Sequence, residues 1–469
     1  MRQISCAAIA AGTTLALASP ASPWPAEVDA ALARAKLPRE ALSVYVADAQ
    51  DARASARLAY RAQEAVNPAS VMKLVTTFAA LDLLGPAYTW STPVYVDGVV
   101  QGGSLKGNVY IQGQGDPKLV LERLWLLLRR LQAQGIQVIV GDVVLDRSAF
   151  AVPAHDPGRF DGEPLRPYNA APDALLLNYK SVAMTFVPDP GAGVARVQYD
   201  PPLAGVQLQP TVPLAAAGAD CGDWRAGLRA DLGSPERTVF QGSYSARCGE
   251  RVWPVAYADP AGFAARAVEG MWRELGGKLT GRVRDGQVPA GLRPAFQATS
   301  PALAEVVRDV NKYSNNVMAQ HVFLTLALQK NAVASFEGAQ EVLLQWWRAR
   351  LGELPPPVAD NGAGLSREAR VTALGLGRML QQAWLSPVMP ELVSSLPITG
   401  IDGTLRRSKS KAGAAHLKTG SLRDVMAVAG FVHAASGRRY VLVAIVNHPS
   451  AAAARPVLDA LVDWTARDQ

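Results

Sequence analysis

The chain is poor in the residues that hold metals. Its 469 residues include three cysteines and five histidines, and none of these falls at a spacing to other ligands that reads as a metal site. It also lacks an arginine-rich stripe, an aromatic–basic repeat and any zinc-finger spacing. Nucleic acid is therefore set aside as a partner, although the formal net charge is +7 and the pI about 9.3, a balance that favours anionic partners in general. No G-x-S-x-G elbow is present, which argues against a Ser-His-Asp hydrolase. Internal repeats and low-complexity tracts are absent too. With 49% hydrophobic and 19% charged residues, the chain can bury a sizeable core, and its length suits two to four domains.

No segment has the length of a membrane span. The uncharged run from Ile4 to Ala18, preceded by Arg2 and ending in Ala16-Leu17-Ala18, is too short to cross a bilayer. A charged start, an apolar middle and small residues at the end predict a cleaved secretory signal over residues 1–18. Cys6 has no lipobox-like context, so the expectation is an exported, periplasmic protein with at most peripheral membrane association. Cleavage would leave Cys221 and Cys248, an even pair in an oxidising compartment, and a disulfide between them is expected.

What is present has a clear organisation. LSVYVADAQ (42–50) alternates as a strand does, and RLAYRA (57–62) is a candidate partner. A helical pattern runs from Ser70 to about Leu84, before Gly85-Pro86. From about 93 to 292 the chain turns to short strand-like runs such as GNVYIQG and IQVIVGDVVLD, with the helix LERLWLLLRRLQAQG between them. Helical periodicity then returns, most clearly in PALAEVVRDVNKYSNNVMAQHVFLTLAL. MAVAGFVHA, an AASG turn, RRYVLVAIVNH and a last helix close the chain. The pattern predicts an α+β fold, an antiparallel sheet covered by helices, interrupted by a large β-rich insertion.

The chemistry centres on NPASVMKL (67–74). Ser70 and Lys73 lie three apart, so they share a helix face, and a hydroxyl at a helix N-terminus meets free N–H groups. A lysine buried under an apolar run loses its proton more readily and becomes a general base. Alone the motif is weak: about two S-x-x-K tetrapeptides are expected by chance in a chain of this length, and a second occurs at Ser408–Lys411. Two further elements change the weighing. Ser314-Asn315-Asn316 falls in a helical context, and Lys418-Thr419-Gly420 opens a strand pattern. S-x-x-K, S-x-N and K-T-G in that order form the signature of penicillin-recognising serine enzymes.

On these motifs, together with GQGDPKL (113–119), IVGDVVLDRSAF (139–150), PYNAAPDALLLN (167–178), NGAGLSR (361–367) and LPITGIDGTLRR (396–407), the sequence resembles the low-molecular-mass class C penicillin-binding proteins. These are D-alanyl-D-alanine carboxypeptidases and endopeptidases of the peptidase S13 type. The resemblance implies a serine β-lactamase/transpeptidase-like domain made of residues 19–92 and 293–469, with 93–292 inserted as two smaller subdomains. It implies an acyl-enzyme on Ser70 with Lys73 as base. Ser314 and Asn316 would form the opposite wall. Lys418, Thr419, Gly420 and Ser421 would bind the terminal carboxylate, with the N–H groups of Ser70 and Ser421 as oxyanion hole. Peptidoglycan stem peptides and β-lactams are the implied partners, with no cofactor and no metal; a homo-oligomer is left open. A β-lactamase and a non-catalytic peptidoglycan-binding protein with a vestigial site are the alternatives.

Some positions depart from the family pattern. Tyr313-Ser314-Asn315 also fits a Y-x-N motif one residue out of register; the flanking residues favour S-x-N. Asn361-Gly362-Ala363-Gly364-Leu365-Ser366-Arg367 lacks the serine often found third, and its Arg367 either faces the stem peptide or is a structural arginine on a tight turn. PGRFDGEPLRPY (157–168) lacks the family's usual tryptophan after PG; its Asp161 or Glu163 is either a solvated loop carboxylate, the default reading, or the acid that would read the diaminopimelate ammonium. The cluster Arg406, Arg407, Lys409, Lys411 reads as a solvated face or as a field that steers carboxylates.

Overall fold

A computed structural model describes residues 24–468; the expected signal segment and Cys6 lie outside it. The central sheet has five antiparallel strands in the order Ala415–Leu422, Val425–His433, Arg439–Asn447, Leu42–Asp48 and Leu58–Tyr60. The strand expected from RLAYRA pairs with LSVYVAD, Val46 opposite Leu58. Both faces of this sheet are covered, and the two-residue period of a strand divides its side chains between them. Val441, Val443 and Ile445 pack with Val75, Phe78 and the helices of residues 303–395. Leu442, Ala444 and Val446 pack instead with Val28 and Leu32 of the helix Ala26–Ala35 and with Leu458 and Leu461 of the helix Arg455–Ala466. The expected α+β arrangement of a sheet covered by helices is what the chain adopts.

The inserted part builds its own sheets around a separate core. Ser91–Gln101 pairs with Ser104–Gln112 and, on its other edge, with Pro294–Thr299 in a seven-stranded mixed sheet. A four-stranded antiparallel sheet shares this core, into which the amphipathic helices Leu121–Ala133 and Phe263–Glu274 bury Leu124, Leu128, Val268 and Trp272. The disulfide Cys221–Cys248 closes a loop here. Part of the insertion joins the other core: Phe150 and Ala174 pack beside Val322 and Phe323.

Two helices differ from the pattern read in the sequence. The run expected as one long helix is two, Leu303–Tyr313 and Asn316–Leu328. Ser314 takes a left-handed conformation (φ 57°) at the end of the first helix, and Asn315 caps the second by accepting from the Met318 N–H. The helix expected from Ser70 begins instead at Lys73, behind a 3₁₀ turn over Ala69–Met72. Among the described residues no helix is long and apolar enough to cross a membrane.

Candidate active site

The 3₁₀ turn matters chemically. With three residues per turn, positions i and i+3 eclipse, so Ser70 stands directly over Lys73, and the Lys73 Nζ to Ser70 Oγ distance is 3.0 Å. The turn is held from three sides. Asn67 accepts the Ala69 N–H and donates to the Ser366 carbonyl, and its own backbone exchanges hydrogen bonds with the Asn447 side chain. Gly364 sits so close to the Ala69 carbonyl that a Cβ there would fall 1.9 Å from that oxygen, and one on Gly420 would fall 2.6 Å from the Pro68 oxygen. Ala69 itself is forced to φ 48°, a conformation that persists only where the surroundings over-determine it. The small residues of NGAGLSR and KTGSL thus let two further chain segments touch the backbone that carries Ser70.

Lys73 is fully buried. Its Nζ lies 2.6 Å from Asn316 Oδ1, 2.6 Å from the Ala363 carbonyl and 3.0 Å from Ser70 Oγ. A neutral amine has two hydrogens and one lone pair. The three partners suit the ammonium as three acceptors; in the neutral form two N–H groups go to the two obligate acceptors and the lone pair is left for the Ser70 proton. The electrostatics agree: burial, reinforced by the positive charge of Lys418, pushes Lys73 well below the ordinary lysine range.

The opposite wall comes from the junction of the two helices. Its left-handed turn puts Ser314 Oγ 2.9 Å from Lys418 Nζ, while Asn316 faces Lys73. Tyr313 is 68% exposed, and Asn315 is occupied as a cap, so the S-x-N register is the one the fold brings together. Lys418 is also fully buried, which pulls it down to about 7. It spends two N–H groups on Ser314 Oγ and the Thr419 carbonyl (2.7 Å), and its protonated form keeps a third.

Lys418 to Leu422 lie on the open edge of the central sheet. The first half of that edge is covered: the Leu417 N–H donates to the Pro397 carbonyl, and the Thr399 N–H to the Ala415 carbonyl. Since backbone groups alternate in direction along a strand, the N–H groups of Thr419 and Ser421 point outward to the same side, beside the Ser70 turn.

The inserted region reaches this site through residues 160–169. The Tyr168 carbonyl accepts from Asn316 Nδ2 at 3.2 Å, and Phe160 lies under the Arg367 guanidinium, 4.7 Å from ring centre to Cζ. Arg367 pairs with Asp424 at 3.0 Å and makes no hydrogen bond to Ser70, Lys73 or Lys418. Asp161 is turned to its own loop, accepting from Tyr168 Oη, Asn169 Nδ2 and the Glu163 N–H. Partial burial works to raise its carboxyl, and those hydrogen bonds outweigh it, so it is held below the usual range. Glu163 pairs with Arg166 and lines a groove of ≈ 890 Å³ that runs towards Trp253. Neither acid is in hydrogen-bond contact with the Ser70 group. Among the described residues no group of three or more His, Cys, Asp or Glu side chains is placed to hold a metal ion.

Several participants were not singled out from the sequence. Thr404 Oγ1 accepts from Thr419 Oγ1 at 2.7 Å, and Lys312, buried, holds the same loop through Asp402 and the Leu396 carbonyl, both at 2.6 Å. His321, on the helix that carries Asn316, bridges the Gly115 carbonyl and the Asp173 N–H. Burial pushes it down to about 4, so it is a neutral tie between that helix and the insertion.

The model of the D-Ala-D-Ala carboxypeptidase 3 (S13) family matches residues 25–468. The chain belongs to this family. D-alanyl-D-alanine carboxypeptidase DacB of Haemophilus influenzae is 25% identical over 393 residues, 81% of this chain and 80% of that protein. The crystal structure of penicillin binding protein 4 (dacB) from Haemophilus influenzae superposes with a TM-score of 0.74 at 24% identity, covering 94% of this chain and 99% of that one. A second structure of it, in complex with a β-lactam, gives 0.69 at 23% identity over 93% and 99%. The S13 fold is therefore shared over both the central sheet and the insertion.

Proposed function

We propose that this S13 enzyme is a serine D-alanyl-D-alanine carboxypeptidase and endopeptidase of peptidoglycan, acylated at Ser70. The observation that carries the roles is the hydrogen-bond set of Lys73. Ser70 Oγ attacks the carbonyl of the penultimate D-alanine as its proton passes to neutral Lys73. The Oγ–C bond forms and the carbonyl oxygen becomes an oxyanion held by the N–H groups of Ser70 and Ser421. The proton then reaches the leaving nitrogen by way of Ser314, whose Oγ lies against Lys418, and the C–N bond breaks. Water attacks the ester, Ser70 recovers its proton, and the peptide leaves. Lys418, with Thr419 and Ser421, binds the terminal carboxylate, and Asn316 holds Lys73 and the substrate amide. A β-lactam carries a carboxylate and a reactive carbonyl of the same kind, and the Haemophilus relative has been solved in complex with a β-lactam.

Residues 19–92 and 293–469 serve in this reading as the catalytic unit, and 93–292 as two smaller subdomains that shape its cleft. Export to the periplasm is part of this reading, supported by the proposed substrate and by the signal expected over residues 1–18. The decisive experiment incubates wild type and Ser70→Ala with pentapeptide monomers and cross-linked dimers of muropeptide. Release of D-alanine or cleavage of dimers by wild type alone is expected. Murein binding without turnover would leave the non-catalytic reading, and rapid turnover of penicillin without peptide hydrolysis would leave the β-lactamase.

A further inference from the structure

The loop after Thr404 carries four exposed cations, Arg406, Arg407, Lys409 and Lys411. Its backbone is fixed. Ser408 and Ser410 donate to Asp459 Oδ1 at 2.9 and 3.0 Å, the Lys411 N–H donates to Asp463 Oδ1 at 3.1 Å, and the Lys411 carbonyl accepts from Thr399 Oγ1 at 2.9 Å. Two carboxylates thus lie beside the loop, yet serine hydroxyls occupy Asp459 Oδ1 and a backbone N–H occupies Asp463 Oδ1. The nearby ion pairs Lys312–Asp402 and Arg367–Asp424 involve none of the four cations, and among the described residues none of the four is in an ion pair. The loop has a direction as well. It starts one residue past Leu405, beside the Thr404–Thr419 contact at the carboxylate pocket, and ends ahead of the strand Ala415–Leu422. There Lys411 and Arg467 edge a hollow of ≈ 350 Å³ against the last helix.

Resting on the function proposed above, we infer that this loop reads the leaving stem peptide of a cross-link. When D-alanine leaves, nothing extends beyond the carboxylate bound at Lys418. When a cross-link is cut, the leaving amine belongs to a second stem peptide, a polycarboxylate that must continue outward past that pocket. A fixed row of unpaired cations on this path attracts it and costs little conformational entropy, since the loop is already ordered. The contact is made by rim charges, so it acts on capture of the substrate and is screened by salt.

The test compares wild type with Arg406→Gln/Arg407→Gln/Lys409→Gln/Lys411→Gln, and with the milder Arg407→Gln/Lys409→Gln, on purified pentapeptide monomer and cross-linked dimer. For the fourfold variant KM on the dimer should rise about tenfold with kcat kept, and the salt dependence of kcat/KM should flatten. D-alanine release and β-lactam acylation should stay within about twofold, which also reports that the variant is folded. The double variant should show a smaller shift in the same sense. Equal loss on both substrates, or no loss on the dimer, would overturn the inference, and so would a wild type that releases D-alanine but never cuts dimers, though the carboxypeptidase activity proposed for Ser70 would stand. A missing β-lactam adduct at Ser70 would remove the proposed function and this inference together. Capture by anionic phospholipid vesicles, lost in the variant while dimer cleavage is unchanged, would assign the loop to membrane headgroups instead.

Discussion

The floor of the cleft and its roof are built by different physics. At the floor, three chain segments meet backbone to backbone around Ala69 and Ser70, with no room for a Cβ at Gly364 or Gly420, and both lysines are wholly buried. At the roof, residues 160–169 of the insertion touch the site through one carbonyl, at Tyr168, and one exposed stacking contact, Phe160 on Arg367. Interiors this close-packed transmit small changes in volume as strain, whereas exposed pairs contribute little to stability. In the proposed mechanism the floor therefore sets reactivity, and the roof is free to tune what is admitted.

That contrast can be broken most severely at the floor. Ser70→Ala should abolish peptide hydrolysis and β-lactam labelling, a loss of roughly 10⁴-fold or more by analogy with other serine nucleophiles. Lys73→Met should slow acylation by about 10²–10⁴-fold, the range of a general base, as measured by stopped-flow with a chromogenic β-lactam. Gly420→Ala should lower acylation strongly and cost about 1–3 kcal/mol of stability in denaturant unfolding, because the methyl group forces the strand off the Ser70 turn. At the roof, Arg367→Ala should change stability by less than about 1 kcal/mol, with an effect confined to KM for peptide substrates. A loss of acylation as large as that of Gly420→Ala would erase the distinction.

The two buried lysines sharpen the same comparison through pH. Lys418 is pulled down to about 7 by burial, against about 10.5 in the unfolded chain. Between those values the unfolded state holds the extra proton, so stability rises with pH across about 7 to 10.5; urea unfolding of the ligand-free enzyme checks the sign. A bound carboxylate favours the charged form, so binding tightens as pH falls towards 7 and below. In the proposed mechanism acylation moves the other way, because Lys73 acts there as a neutral base. Lys418→Met removes the charge that helps depress Lys73, and should shift the acidic limb of the acylation profile to higher pH.

Much of this site could be read from the sequence because its members are side chains with recognisable spacing. Ser70 and Lys73 announce themselves as i and i+3, and S-x-N and K-T-G supply the distant walls. The α+β class was legible for a similar reason, since VLVAIV and its neighbours alternate between two covered faces. What stayed hidden depends on backbone. The break at Ser314 lies inside an unbroken apolar period, and its left-handed turn has no glycine to mark it. The Ala363 and Tyr168 carbonyls, which meet Lys73 and Asn316, could belong to any residue type. Thr404 joins Thr419 only because a loop 15 positions upstream folds back on the strand. Asp161 was singled out for its charge, yet the fold uses that charge to close its own loop.

The central claim is that Lys73 activates Ser70 and no other residue. Peptide mass mapping of the enzyme after brief reaction with a β-lactam tests it most directly. A single acyl adduct on Ser70, absent in Ser70→Ala and formed far more slowly in Lys73→Met, is the expected result. An adduct on another residue, or an undiminished rate in Lys73→Met, would contradict it.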